Sequence, residues 1–210
     1  TKQNFQHYFF DDNGRLKVGE QTQTSYLLAI GLDLLDADMT KKAVPHLLEQ
    51  FEVAGGHLRT GFLGTPLIAP VLEKVGRADL AFDLVFKQTY PSWLFSVSQG
   101  ATTMWERWDG YTLENGYAKK QGSLNHYAYG AIGQWLYERL AGISPLTAGY
   151  KTIRIAPLIA DQLSFAQASV ESPHGLIASK WQKTATRLVI EITVPTNTQA
   201  QVEIPKYSFT

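Results

Sequence analysis

The chain has no cysteine and only two methionines among its 210 residues. It therefore has no disulfide, no thiolate nucleophile and no cysteine-based zinc site, although this does not fix its compartment. Net charge is absent as well: 19 basic and 19 acidic side chains cancel. Nothing electrostatic favours nucleic acid or an anionic membrane as partner. No run approaches the roughly 18 apolar residues of a membrane span, and no secretory leader is visible. The G-x-S-x-G elbow, H-E-x-x-H, phosphate loop, dinucleotide fingerprint and EF-hand loop are all missing. The five histidines are scattered without ligand spacing, so neither a metal site nor a cofactor is expected.

What is present is a well-buried composition, 44% apolar and 18% charged, which fits a globular protein with a real core. Its richest stretch runs from Ser98 to Tyr117, SQGATTMWERWDGYTLENGY. Trp105 to Tyr111 alone bring together two indoles, a phenol, two carboxylates and a guanidinium. A sugar site asks for this mixture, because flat aromatic faces cover the C–H face of a pyranose while carboxylates take hydroxyls and move protons. The structural alternative is a buried Glu106–Arg107 ion pair among core tryptophans. Two features favour function. Gly100 and Gly110 break the segment at both ends, and adjacent side chains on regular structure point apart.

Taken in order, residues 1–10 read as the end of a helix with an aromatic face. Asp11 to Gly14 form a turn. A buried helix covers Thr22–Leu35, apolar nearly all round. Asp38 or Thr40 caps a helix from Lys41 to about Val53, with Pro45 near its first turn and Gly55-Gly56 ending it. Helices at 66–75 and 77–88 follow, and Tyr90 to Trp93 open a short element. Ser123 caps a helix of Leu124–Leu140 whose Tyr127, Ala131, Trp135 and Leu136 face inward. From Tyr150 the period changes to the alternation of strands: KTIRIAP, LSFAQASVE, GLIASKWQK, ATRLVIEITVP and QAQVEIP, with Ser172 to Gly175 as a hairpin turn. The expectation is a helical domain over 1–147 and an antiparallel β domain over 148–210.

HLRTGFLGTP, TYPSWLFSVSQGATTMWERWDG, GSLNHYAYGAIGQWLYERLAGI and GYKTIRIAPL together resemble the bacterial α-L-rhamnosidase family of glycoside hydrolases, from about residue 20 to the end. The resemblance implies an α+β multidomain architecture: part of an (α/α) six-hairpin toroid, here its second half, followed by a small antiparallel β-sandwich. It implies inverting hydrolysis of terminal α-L-rhamnosyl groups, in which one carboxylic acid protonates the leaving oxygen and a second carboxylate activates water. The two stand roughly 6.5–9.5 Å apart in such enzymes.

Glu106 inherits the role of general base, which a neighbouring guanidinium such as Arg107 would keep ionised. His126 matches a position facing the sugar. Trp93, Trp105 and Trp108 are candidate stacking platforms. Asp109 binds a hydroxyl or orients Arg107 or a turn, and Thr60 and Thr65 shape their loop. His174 either reaches the site rim or is an exposed turn histidine. The family's general acid belongs to the first half of the catalytic domain, and nothing here matches it.

The implied partners are L-rhamnose-containing glycosides and the missing N-terminal half of the catalytic domain. A cut toroid also predicts association through exposed apolar faces. Location stays open: the absent leader fits a cytoplasmic enzyme taking imported rhamnosides, slightly favoured, or a missing N-terminus. The rival reading is a non-catalytic carbohydrate-binding or structural fragment lacking the acid.

Overall fold

Short amphipathic helices broken by glycine turns build the first part of the chain. The computed structural model describes residues 1–120 and 122–204 and divides into two compact units, Thr1–Ile132 and Gly133–Thr210. In the first unit, α1 (Lys2–Phe9) puts Phe5 and Phe9 together at 4.7 Å between ring centroids. α2 spans Gln23–Gly31, with Thr22 accepting the Ser25 amide as its cap. It is buried through Tyr26, Leu27, Ala29 and Ile30, as its apolar surface requires. It ends earlier than Leu35 because Asp33 adopts a left-handed backbone, φ 54°, which a helix cannot continue through. A Cβ on Gly31 would lie 3.1 Å from the Val71 side chain, so glycine permits close packing against the next hairpin.

α3 covers Ala37–Val53 and is capped by Asp36, not by Asp38 or Thr40. The Asp36 carboxylate accepts the Met39 amide at 2.8 Å and the Gln6 side chain of α1 at 2.9 Å, which moves the start upstream. Pro45 therefore falls inside α3 rather than in its first turn, where it forgoes the bond to the Lys41 carbonyl. α4 (Ile68–Lys74) and α5 (Ala78–Phe86) follow, then α6 (Trp93–Ser98), capped by Ser92. Among the described residues no helix is long and apolar enough to cross a membrane.

The Asp36 cap carries a pH prediction. Its carboxyl is held below the usual carboxylate range, first by the Met39 amide and then by Gln6. A depressed carboxyl stabilises the fold above the unfolded pKa, and that contribution disappears as pH falls through the folded value. Urea midpoints should thus drop further between about pH 7 and about pH 3 in the wild type than in Asp36→Asn, whose amide caps without titrating. Equal drops would show that the cap is not coupled to folding.

The expected helix from Leu124 does not form. Ser123 Oγ accepts the Asn125 amide at 3.0 Å, and the His126 amide donates to the Met104 carbonyl at 2.7 Å. The segment is thus tied to the Trp/Glu loop, and helical structure starts only at Ala128–Ala131, a 3-10 turn. α7 (Ile132–Trp135) and a π-turn over Leu136–Leu140 complete it. Tyr127, expected inside, is 87% exposed. Ala131 is exposed too, whereas Trp135 is buried.

Apart from the two-stranded ribbon β1 (Tyr111–Thr112) and β2 (Gly116–Tyr117), the strands lie in the second unit. They are β3 (Ile143–Pro145), β4 (Thr152–Ile155), β5 (Phe165–Ser172), β6 (Gly175–Lys183), β7 (Leu188–Thr193) and β8 (Gln199–Val202). One sheet has the order β3-β4-β8 and the other β5-β6-β7. All pairs are antiparallel except β4 with β8, which is parallel. The exception arises because the chain leaves one sheet after β7 and enters the other, so no hairpin dictates direction. The turn at Pro173-His174 closes β5 onto β6 in the register Ser172↔Gly175. Pro205, the last residue of the expected final strand, lies outside the described residues.

Alternation buries Ile177, Ser179 and Trp181 on one face of β6. Ile177 meets Ile143, Ile153 and Ile155 of the other sheet in one apolar cluster, joined by Ala168, Val170 and Ile192.

Candidate active site

The loop after α6 runs from Gly100, which takes a left-handed backbone with φ 89° at little steric cost. It passes beside the 123–126 segment in the manner of a short ladder. The Glu106 amide donates to the Ser123 carbonyl at 2.9 Å, and the Ser123 amide donates back to Glu106 Oε2 at 2.7 Å. The carboxylate is thus oriented by a charge-assisted bond from the backbone. Together with the His126–Met104 bond, these contacts place Glu106 and His126 on two paired segments of one unit. Gly122 lies against Glu106 and Arg107: a Cβ there would come within 3.2 Å of the Arg107 side chain and 3.4 Å of Glu106 Oε2.

Arg107 pairs with Asp109. Its Nε and Nη2 donate to the two Asp109 carboxylate oxygens at 3.0 and 3.1 Å, and this pairing raises the guanidinium pKa further. The guanidinium expected to serve Glu106 is thus engaged by the acid two residues on. Of the roles open to Asp109, orienting Arg107 is the one its contacts display.

Trp93, Trp105 and Trp108 are all buried. Trp108 stacks on Tyr129 at 3.9 Å and 8°, meets Trp93 edge-on at 5.3 Å, and Trp93 Nε1 donates to the Tyr129 carbonyl at 2.9 Å. The three indoles and Tyr129 border a hollow of about 310 Å³ with Met104 and Thr103. They form the wall behind the loop, with only the surface facing this hollow available to a ligand. The Trp108 indole N–H is buried and meets no acceptor within the described residues.

His126 is stacked by Phe62 at 4.7 Å and 21° and by Tyr127 at 5.2 Å and 11°. Its Nδ1 accepts the Ala128 amide at 3.3 Å. Thr60 and Thr65 are buried and joined hydroxyl to hydroxyl at 2.8 Å, which shapes the loop bearing Phe62. His174 lies in the other unit, exposed on the β5–β6 turn, with its amide donating to Ser172 Oγ at 3.2 Å. Among the described residues no group of three or more His, Asp or Glu side chains could hold a metal.

Phe62, Tyr129 and the Ser123 amide were not picked out from the sequence. Phe62 stands in a Gly/Thr-rich connector that signals a turn and not a partner, and a backbone donor leaves no trace in residue type.

A helical-hairpin unit that sets a carboxylate loop against a tryptophan wall, followed by a small β unit, defines a glycosidase-type domain pair. Residues 1–140 match the model described as bacterial alpha-L-rhamnosidase 6 hairpin glycosidase domain, and residues 142–208 match the bacterial alpha-L-rhamnosidase C-terminal domain. The chain belongs to the bacterial α-L-rhamnosidase family.

It is 51% identical over 96% of its length to an alpha-L-rhamnosidase of Formosa agariphila, and 44% identical over 97% to one of an Alteromonas species. It spans 22% of the length of each. Among solved structures, it is similar to the Streptomyces avermitilis alpha-L-rhamnosidase complexed with L-rhamnose: TM-score 0.90, 38% identity, 97% of this chain and 20% of that one. It is also similar to the native Aspergillus terreus enzyme, with TM-score 0.87 and 32% identity over 98% of this chain and 24% of that one.

Proposed function

We propose that this chain is the C-terminal portion of an inverting α-L-rhamnosidase that hydrolyses terminal non-reducing α-L-rhamnosyl residues, with Glu106 as general base. The observation that carries the reading is the Glu106 carboxylate, half-buried in the loop that bears the buried Trp105 and Trp108 and oriented by the Ser123 amide. With Oε2 engaged there, Oε1 is the oxygen left to take a proton from water. Arg107, committed to Asp109, does not block it. The relatives' names supply the sugar, and the Streptomyces structure was solved with L-rhamnose.

In this reading His126 binds a hydroxyl of the rhamnose by hydrogen bonding. Trp93, Trp105 and Trp108 wall the site. The general acid comes from catalytic-domain sequence that precedes this chain, roughly 6.5–9.5 Å from Glu106 across the glycosidic bond. The helical catalytic domain ends near residue 140, ahead of β3, which pairs into the β domain that follows; the boundary expected at 147/148 falls too late. On its own, the chain would self-associate through apolar side chains it exposes, Leu32 and Val53 among them.

Hydrolysis of an aryl α-L-rhamnoside, followed by proton NMR, tests the reading. The complete enzyme is expected to release β-L-rhamnose first, and this chain alone to release none. The α anomer appearing first would make Glu106 a nucleophile's carboxylate, not a base. Turnover by the chain alone would place the acid within it. Rhamnose binding without turnover by the complete enzyme would favour a carbohydrate-binding module.

A further inference from the structure

Phe62 is 41% exposed, unusual for a phenylalanine that serves only the core, and its ring does not point to solvent unaccompanied. It lies nearly parallel to the His126 imidazole at 4.7 Å and meets Tyr129 edge-on at 5.5 Å. Tyr127 stacks on His126 as well, at 5.2 Å. Tyr129 is in turn the ring on which Trp108 stacks. An imidazole stacked on by two rings has only its edge to offer a ligand. Of the two nitrogens on that edge, Nδ1 accepts the Ala128 amide at 3.3 Å, so in the neutral ring the proton sits on Nε2.

The loop that presents Phe62 is built to be stiff. Thr65 is buried, and its amide and its hydroxyl both donate to the Gly61 carbonyl, at 3.0 and 2.8 Å. A Cβ on Gly64 would fall 2.5 Å from Thr24 Oγ1 and 2.9 Å from Thr60, so the turn is closed around a glycine. A phenylalanine on such a turn is a fixed plate.

We infer that Phe62 is a positioning residue for the rhamnosidase reaction: with Tyr127, it holds the His126 ring edge-on so that Nε2–H is presented as a hydrogen-bond donor to a hydroxyl of the sugar. The inference rests on the reading of Glu106 and His126 given above. It adds that His126 works as a donor through one defined nitrogen, and that its aim depends on an aromatic plate about 60 residues earlier in the chain. Stacking fixes the ring plane, while the Ala128 amide fixes which nitrogen carries the proton. Neither constraint alone would set the direction of the donor.

A double-mutant cycle in the complete enzyme tests this, with kcat and KM for an aryl α-L-rhamnoside as readout. Phe62→Ala and Phe62→Leu should each lower kcat/KM by about 10- to 100-fold, since a misplaced donor is costly even when the fold is intact. Phe62→Tyr, which keeps the plate, should stay within about threefold of wild type. Because Phe62 acts through His126, adding Phe62→Leu to His126→Ala should cost nothing further. Losses that multiply in the double variant, or a Phe62→Leu enzyme as active as wild type, would overturn the inference.

A second readout does not depend on activity. Nitrogen-15 NMR of the histidine rings in the complete enzyme should show His126 as the Nε2–H tautomer, and a mixture of tautomers or a mobile ring in Phe62→Leu. An unchanged His126 signal in that variant would refute positioning. If instead Glu106→Gln left turnover intact, the functional reading would fail while the NMR experiment still judged Phe62.

Discussion

Glu106→Gln in the complete enzyme is expected to lower kcat by about 10²- to 10⁴-fold, the range that a lost general base accounts for. The substitution is chosen because it isolates the proton. A carboxamide has the same length and can still accept the Ser123 amide through its oxygen, so the bond at 2.7 Å has a replacement. The reciprocal backbone bond from Glu106 to Ser123 does not involve the side chain at all. The loop should therefore keep its place, the melting temperature should stay within a degree or two, and KM should change little. What disappears is the ability to take a proton from water. Glu106→Asp makes the complementary test, since it keeps the charge and withdraws it from the Ser123 amide. Near-wild-type kcat in Glu106→Gln would remove this residue from the base role altogether.

Trp181→Ala should be the most damaging single change in the second unit. Its side chain has no exposed surface, and its indole N–H donates to the Leu140 carbonyl at 2.6 Å. Truncation would leave a large cavity on the inner face of β6 at a cost of about 3–5 kcal/mol. It would also orphan a carbonyl at the end of the π-turn, worth about a further 1–3 kcal/mol if no water reaches it. A domain with a net stability of about 5–15 kcal/mol cannot easily absorb that sum. Urea denaturation should show the β unit unfolded, or melting in a separate early transition. Trp181→Phe divides the two contributions, because it restores most of the volume but not the donor. A Trp181→Ala variant within about 1 kcal/mol of wild type would mean that the indole is not part of the core.

Much of this molecule could be read from residue order, and the failures have physical causes. α2 was legible because its apolar residues surround the helix, and the β5–β6 hairpin because Pro173-His174-Gly175 has few other uses. The cap of α3 was misplaced by a few residues: three hydroxyl- or carboxyl-bearing candidates stand close together, and the winner is decided by Gln6, thirty residues away. The supposed helix from Leu124 failed for a related reason. Its sequence has helical spacing, but the Ser123 and His126 amides are claimed by partners across the loop, and tertiary pairing overrides local preference. β3 is only three residues long, too short for alternation to register. At the site, Glu106 and His126 could be named because a resemblance pointed to them. That Arg107 belongs to Asp109 needed coordinates, as did the stack of Phe62 on His126, since neither follows from spacing alone.

The ladder between Met104–Glu106 and Ser123–His126 pins both roots of everything in between. The ribbon of β1 and β2 lies between these two points, which are held by the backbone bonds Glu106–Ser123 and His126–Met104 as well as by the Glu106 side chain. An excursion anchored in this way can lengthen, shorten or change its chemistry at the tip without moving the carboxylate at its base. The fold thereby separates two demands that usually conflict. The Glu106 carboxylate is fixed at the neck of the loop, while the outer portion, where Leu113 and Tyr117 stand exposed, can be remodelled. Changes at the tip would alter the surroundings of the carboxylate without displacing it.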